Sequence, residues 1–325
     1  MKAIICKEYG PPQDLVLEEI PNLTPGPKDV LVEVKACSIN FPDTLIIQGL
    51  YQFKPPCPFT PGSDIAGIVK SVGAEVKHLK AGDEVFGMVP FGGFAEEVLV
   101  PKHSCFQKPP GMSFDLAASF LMTYGTSYHA LKDRAAIKAG ETLLVLGAAG
   151  GVGLAAVELG ALMGAKVIAA ASTDEKLDLC KTYGASETIN YSTEDLRARL
   201  KEITGGNGVD VVYDPVGGAL SEPAFRSTAW NGRHLVVGFA AGDIPKIPLN
   251  LPLLKGSQIV GVFWGRFAMT FPKENMANTL QLVEWQAKGK INPHIHATYP
   301  LEDTAKALEE IMDRKVRGKV ILKVG

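Results

Sequence analysis

Between Glu141 and Glu158 the chain carries no charged side chain, and within that run glycine stands at positions 147, 150, 151 and 153. The residues before the glycines, "ETLLVLG", read as a buried strand, and those after them, "GVGLAAVELGALMGA", as an apolar helix. Strand, glycine turn and helix in direct succession form the first half of a βαβ unit. Such a unit requires a parallel sheet covered by helices. The uncharged stretch from Thr142 to Val157 is shorter than the about 20 apolar residues a membrane span needs, and its glycines weaken it further.

The alternation continues. "KVIAAAS" reads as a strand, "TDEKLDLCKTYG" as a helix ending at Gly184, "SETIN" as a short strand and "TEDLRARLKEIT" as an amphipathic helix. "GVDVVYDPVG", "ALSEPAFRSTAW" and "GRHLVVGFA" repeat the pattern, and "SQIVGVFW" adds a last apolar strand. This middle region is therefore expected to be a doubly wound α/β unit. Before it, "KAIICKEYG", "DLVLEEIP", "DVLVEVKACSIN", "SDIAGIVKSVG" and "GDEVFGMV" are short β runs ending at Gly, Pro or Asn. After it come two helices, "KENMANTLQLVEWQAKG" and "LEDTAKALEEIMDRK", and a closing strand "GKVILKVG". That strand is expected to rejoin the first region, so that the α/β unit is inserted into a β-rich domain built from both ends of the chain. With 325 residues, two domains are the natural expectation.

The glycine turn answers what the α/β unit holds. Glycine lets a phosphate approach the backbone, and the following helix N-terminus offers free N–H groups and a positive dipole end. "GAAGGVG" is one residue longer than the G-x-G-x-x-G spacing, but strand, turn, helix and second strand fall in the required order. The lysine and Ser/Thr of an NTPase loop are missing. A dinucleotide is the expected ligand, held at Ala149, Gly150, Gly151 and Val152; the alternative is a turn whose glycines serve packing alone. An NAD site places Asp or Glu at the end of the second strand, where this chain has Ala171 and Ser172. With Lys176 close by and Tyr191 after the third strand, the pattern favours a 2′-phosphate and hence NADPH. Asp174 opposes it, and Ser172-x-x-Glu175 also reads as a capping box.

Net charge is −2, which gives no footprint for nucleic acid or an anionic membrane. The cysteines, at 6, 37, 57, 105 and 180, are odd in number and form no C-x-x-C pair, which suits a reducing cytosol and argues against a disulfide framework or a Cys-rich zinc site. The N-terminus, with its short apolar stretch between lysines, does not read as a signal peptide.

"GSDIAGIVKSVGAEVKHLKAGDEVFG", "GAAGGVG", "NYSTEDLRARLKEITGGNGVDVVYDPVGG" and "RGKVILKVG" resemble the medium-chain dehydrogenase/reductase superfamily along nearly the whole chain. Within it they look most like the zinc-independent NADPH:quinone oxidoreductases related to zeta-crystallin. The resemblance implies a GroES-like catalytic domain over residues 1–122 and 266–325, a Rossmann domain over 123–265, a cytoplasmic homodimer joined through Rossmann edge strands, and a small-molecule acceptor. It also implies no metal: Asn40 and Ser63 stand where zinc dehydrogenases of this superfamily have Cys and His ligands, and the four-Cys lobe is missing. Cys37 is read as packing in its strand.

By the same resemblance, Asn40, Asp43 and Tyr51 belong to the nicotinamide end of the site. Asn40 is a candidate amide donor or a turn residue. Tyr51 is a candidate acceptor contact, proton relay or aromatic lid. Asp43 is a candidate acid, read rather as a turn-capping carboxylate. Leu45 and Ile47 replace the Tyr and Arg common in quinone reductases and are expected to make the slot more apolar. Thr126, Val216, Phe239 to Ala241 (with Ala240) and Phe263 to Gly265 (with Trp264) correspond to cofactor contacts, and Lys319, with Arg314, to groups near its phosphates. The expected reaction is hydride transfer from NADPH to a quinone. Reduction of an enoyl thioester or another α,β-unsaturated carbonyl is the alternative within the fold, and a low-turnover NADPH-binding protein the alternative outside catalysis.

Overall fold

The computed structural model describes residues 1–325. The chain divides into two compact units: residues 1–122 with 292–325, and residues 123–291. The second junction lies later than the expected 265/266. The reason is that the helix Pro272–Ala287 packs within the second unit: Tyr128 meets Trp285 edge-on at 5.2 Å, and Trp264 Nε1 donates to Asn275 Oδ1 at 2.9 Å.

The second unit is a six-stranded sheet whose neighbours are all parallel. Its spatial order is Glu187–Asn190, Lys166–Ala171, Thr142–Leu146, Val209–Asp214, Thr228–Val236 and Gln258–Gly261. The first strand in sequence therefore lies in the middle, and the winding reverses between Thr142–Leu146 and Val209–Asp214. A doubly wound sheet binds its ligand outside the carboxyl ends of the strands at such a reversal. Leu143, Leu144, Val145 and Leu146 are wholly buried, which is why this strand reads as an unbroken apolar run and not as an alternation. "SQIVGVFW" is strand only over Gln258–Gly261, and Trp264 already begins a helix, Trp264–Thr270.

The first unit holds the expected β-rich architecture. The long strand Asp29–Ile39 pairs antiparallel with Asp64–Val72, with Glu97–Pro101 and with the closing strand Lys319–Lys323. The chain end thus rejoins the N-terminal region, as the sequence implied. A core of Val30, Val32, Val34, Ile39, Ile65, Val85 and Phe94 lies inside this unit. Cys37 is buried in the same strand. Ile47 is wholly buried in this core as well, so it lines no slot; a six-residue helix, Phe41–Ile46, turns it inward.

Candidate functional site

Each unit carries its own cluster of candidate residues, and each cluster is built from strand ends. In the second unit the chain leaves Leu146 and turns at Gly147, whose φ of +57° lies in the left-handed region that a side chain disfavours. Ala148 N–H donates to Ala170 O at 3.0 Å and Gly150 N–H to Gly147 O at 3.0 Å, which ties the turn to the neighbouring strand. The helix Gly151–Leu162 then begins with Gly150 as its N-cap and no side-chain cap. Its first-turn N–H groups are therefore not taken up by a capping side chain, which suits an anionic ligand. Gly153 is required by space: a Cβ there would lie 2.2 Å from Gly147 O. Ala149, Gly150, Gly151 and Val152 form this turn, with Ala149 buried and the next three positions on the opening of the helix.

The loop Pro215–Gly217 leaves the adjacent strand at the same edge, and a Cβ on Gly147 would come within 2.8 Å of Val216 Cγ2. Asp214 shapes this loop: its carboxylate accepts from Val216 N–H and Gly217 N–H, both at 2.9 Å, from His234 Nε2 at 3.1 Å and from Ser221 Oγ. Burial pushes the Asp214 carboxyl up, but these donors outweigh it and hold it below its ordinary value. Phe239, Ala240 and Ala241 lie against the same loop, Ala240 N–H donating to Pro215 O at 3.1 Å and Ala241 N–H to Val216 O at 2.8 Å. Thr126 is half-buried on the helix Leu121–Tyr128, which its neighbour fixes: Ser127 Oγ donates to Val152 O at 2.8 Å and lies 2.9 Å from Tyr213 Oη. Trp264 packs its indole where Gly125 leaves no Cβ, with Phe263 as cap of the helix on which Gly265 lies. Val216 and Phe239 to Ala241 thus form one hydrogen-bonded loop pair, while Trp264 packs against the helix that carries Thr126. Neither Ser127 nor Asp214 is among the site residues expected from sequence.

At the end of the second strand, Lys176 Nζ donates to Ser172 Oγ at 3.2 Å. Ser172 is not the helix cap. Thr173 is, with an extended backbone (φ −147°, ψ 154°) and its hydroxyl accepting from Lys176 N–H. The capping-box reading of Ser172 is corrected accordingly: the chain stays extended one residue further before the helix starts. Asp174, the residue that counts against a phosphate in the sequence, accepts from Asn190 Nδ2 at 2.8 Å. Tyr191 follows at the end of the third strand, its N–H on Ala171 O at 3.1 Å, half-buried against the sheet core.

In the first unit, strand register does the assembly. Ile39 pairs with Val320 and Ser38 with Asp64, so Asn40, Asp64 and Lys319 meet at one end of three adjacent strands. Asn40 Nδ2 donates to Asp64 Oδ2 at 3.2 Å, and Lys319 Nζ donates to Asn40 Oδ1 and to Ile39 O at 3.0 Å. Asp43 Oδ2 accepts from the Asn40 backbone N–H at 2.7 Å, the turn-capping role expected of it. Lys319 is only 4% exposed and both of its acceptors belong to this unit, so the expectation that it reaches cofactor phosphates does not match its placement. Tyr51 is half-buried against the core of this unit.

Burial dominates the electrostatics of the cluster. It raises Asp64 to about 6 and Asp43 to about 7, overriding Lys319 and the hydrogen bonds to both, and lowers Lys319. Burial, with the Asp43 charge beside it, also raises the Tyr51 phenol. Asp64 Oδ1 and Ser63 Oγ are buried with no hydrogen-bond partner. Asn40 and Ser63, at the positions compared with zinc ligands, offer an amide and a hydroxyl in place of the thiolate and imidazole that zinc takes. No group of three or more His, Cys, Asp or Glu side chains is arranged to hold a metal ion. No helix is long and apolar enough to cross a membrane.

Comparison with known proteins covers both units. Residues 26–110 match the alcohol dehydrogenase GroES-like domain, and residues 151–285 match the zinc-binding dehydrogenase family. The chain is 40% identical to quinone oxidoreductase-like protein 2 of Rattus norvegicus over 99% of this chain and 91% of that protein. Among solved structures it is similar to Escherichia coli quinone oxidoreductase complexed with NADPH (TM-score 0.94, 33% identity, 99% of this chain and 100% of that one). It is also similar to the CurK enoyl reductase (TM-score 0.90, 25% identity, 100% of this chain and 99% of that one).

Proposed function

This chain belongs to the medium-chain dehydrogenase/reductase superfamily, among the quinone oxidoreductases and their relatives, and from that membership we propose that it is a metal-free, NADPH-dependent quinone reductase. It is an oxidoreductase of that superfamily; the acceptor, the lack of a metal and the roles of single residues are the proposal. The observation that supports the choice of NADPH is the pairing of Ser172 with Lys176 at the end of the strand beside the glycine turn. A hydroxyl and an ammonium, with the nearby Asp174 carboxylate engaged by Asn190, form a receptor for a 2′-phosphate and not for a bare ribose.

The residues present fit NADPH. The uncapped helix start at Gly150 and Gly151, with Ala149 and Val152 beside them, would hold the diphosphate, and Ser172, Lys176 and Tyr191 the adenosine end. Thr126, Val216, Phe239 to Ala241 and Phe263 to Gly265 would line the nicotinamide end. When bound, the cofactor supplies a hydride. The chain orients the ring, excludes water with its apolar loops and provides hydrogen bonds to the acceptor oxygen. In this reading Asn40 donates its amide to that oxygen, Tyr51 contacts the acceptor, and Asp43 holds the Asn40 turn. The loop carrying Tyr51 favours a flat, aromatic acceptor. Phe53 and Phe91 on it and beside it stack at 5.9 Å, and Phe59 meets Phe91 edge-on at 6.1 Å.

A homodimer is part of the proposal. The strand Gln258–Gly261 ends the sheet with one edge unpaired, and near it Trp230, Leu249 and Leu253 are 71%, 82% and 79% exposed. An open edge with large apolar side chains around it suits pairing with a second copy.

The likeness to CurK enoyl reductase keeps a second reading: reduction of an α,β-unsaturated thioester. Steady-state oxidation of NADPH with 1,2-naphthoquinone, crotonyl-CoA and acryloyl-CoA separates the readings. Turnover with the quinone alone supports the proposal, turnover with a thioester alone replaces it, and no turnover with any of the three leaves the chain as an NADPH-binding protein.

A further inference from the structure

We propose that Lys319 is a positioning residue: its ammonium fixes which way the Asn40 carboxamide faces, and thereby aims the amide N–H that the proposed reduction uses. This rests on the role given to Asn40 above.

The oxygen and nitrogen of a carboxamide have nearly the same shape, so their orientation is chosen by their partners. Asn40 lies between two partners of opposite kind. Lys319 carries donors only and meets Oδ1, while Asp64 Oδ2 lies 3.2 Å from Nδ2. Turning the amide over would set N–H groups against an ammonium and an oxygen against a carboxylate. At a site where Asn40, Asp64 and Lys319 are 6%, 1% and 4% exposed, water screens neither repulsion. One amide hydrogen goes to Asp64, and the second then has a fixed direction.

Both flanking groups are themselves anchored. Lys319 also donates to Ile39 O at 3.0 Å, and its strand is registered on Ile39 through Val320. Asp64 Oδ2 additionally takes Ser38 Oγ and Met122 N–H, each at 3.4 Å. The Asn40 backbone is held independently by Asp43. The backbone position and the side-chain direction of Asn40 are thus set by different residues, so removing Lys319 releases the amide without freeing the turn.

The test is a double-mutant cycle in the full chain with NADPH and 1,2-naphthoquinone: Lys319→Met, Asn40→Ala and both together, with thermal melting to confirm that each folds. Lys319→Met is expected to lower kcat by about ten- to a hundredfold, the scale of losing a preset geometry, with KM for NADPH within about twofold. In the Asn40→Ala background the same change should cost no more than about twofold, because the group it acts through is gone. Lys319→Arg, which keeps a donor on Oδ1, should recover most of kcat. If Lys319→Met does not fold, Lys319→Leu, which also carries no donor, takes its place in the cycle.

An equal loss with and without Asn40 overturns the proposal, as does a rise in KM for NADPH at unchanged kcat, which would mark a phosphate contact. If Asn40→Ala itself leaves kcat unchanged, the catalytic reading of Asn40 fails. The crystal structure of the Lys319 variant then decides the positioning role alone. A carboxamide turned away from Asp64 upholds it; a carboxamide unmoved overturns it.

Discussion

Gly147 and Val216 meet where two neighbouring parallel strands end: a Cβ on Gly147 would lie 2.8 Å from Val216 Cγ2. The glycine turn and the next strand's loop therefore share one surface, and a change in either shifts the other. Gly147→Ala adds two costs, a side chain at φ +57° and the contact with Val216. Left-handed backbone costs an alanine about 1–2 kcal/mol. The variant is expected to melt lower and to bind NADPH more weakly. Val216→Ala on top of it should restore only the part due to crowding. Chemical denaturation of the two singles and the double measures the split, and full recovery would contradict it.

Gly153→Ala is expected to be worse. Its Cβ would lie 2.2 Å from Gly147 O, a backbone atom that cannot move aside without breaking the turn. A loss of about 3 kcal/mol, at the top of the usual range for overpacking, is expected from urea titration, together with loss of NADPH binding.

Lys176→Ala should raise KM for NADPH about tenfold or more, the worth of one charge-assisted hydrogen bond, and barely change KM for NADH. Ser172→Ala should act in the same direction and less strongly. Kinetics with both cofactors give the answer, and an equal change for each would remove the case for the 2′-phosphate.

The buried acids give a pH dependence of stability. Burial raises Asp64 to about 6 and Asp43 to about 7, above the 3.8 of an ordinary carboxyl. Between about pH 4 and 7 the folded chain thus holds protons that the unfolded chain has released. Stability therefore falls as pH rises through that window, at a rate of up to about 1.4 kcal/mol per pH unit for each acid. Asp43→Asn should flatten the fall in melting temperature between about pH 4.5 and 7.5, most of all above about pH 6, where Asp43 still holds a proton that Asp64 has largely released. An unchanged slope would contradict the assignment.

The open sheet edge predicts association through the second unit. Ile259→Asp on the edge strand Gln258–Gly261 should shift the mass measured by light scattering from dimer to monomer, with little change in melting of the isolated protomer. A wild type that is monomeric at micromolar concentration would remove the dimer from the proposal.

Much of the fold is legible in the sequence. The second unit announces itself because a buried parallel strand reads as an uninterrupted apolar run, and glycines at 147 and 153 are spaced for a turn and a close contact. Lys319 reads as a phosphate ligand because nothing local states that its strand pairs with Asp29–Ile39 in the register that sets it on Asn40. Asp64 is not singled out in the sequence for the same reason: the strand that sets it beside Asn40 pairs across a long sequence separation. Ser172 and Thr173 are both good caps, and only the backbone angles choose between them. Ile47 reads as available to a slot because a short helix can turn either face inward. Asp214 does leave a signal, an acid at a strand end before Pro-Val-Gly-Gly, where four donors converge.

A crystal of the full chain soaked with NADPH tests the placement of the cofactor on this chain directly. The diphosphate is expected against the N–H groups of Gly151 and Val152, and the 2′-phosphate within hydrogen-bond reach of Ser172 Oγ and Lys176 Nζ. A nucleotide bound elsewhere, or none at a concentration that saturates turnover, would contradict that placement.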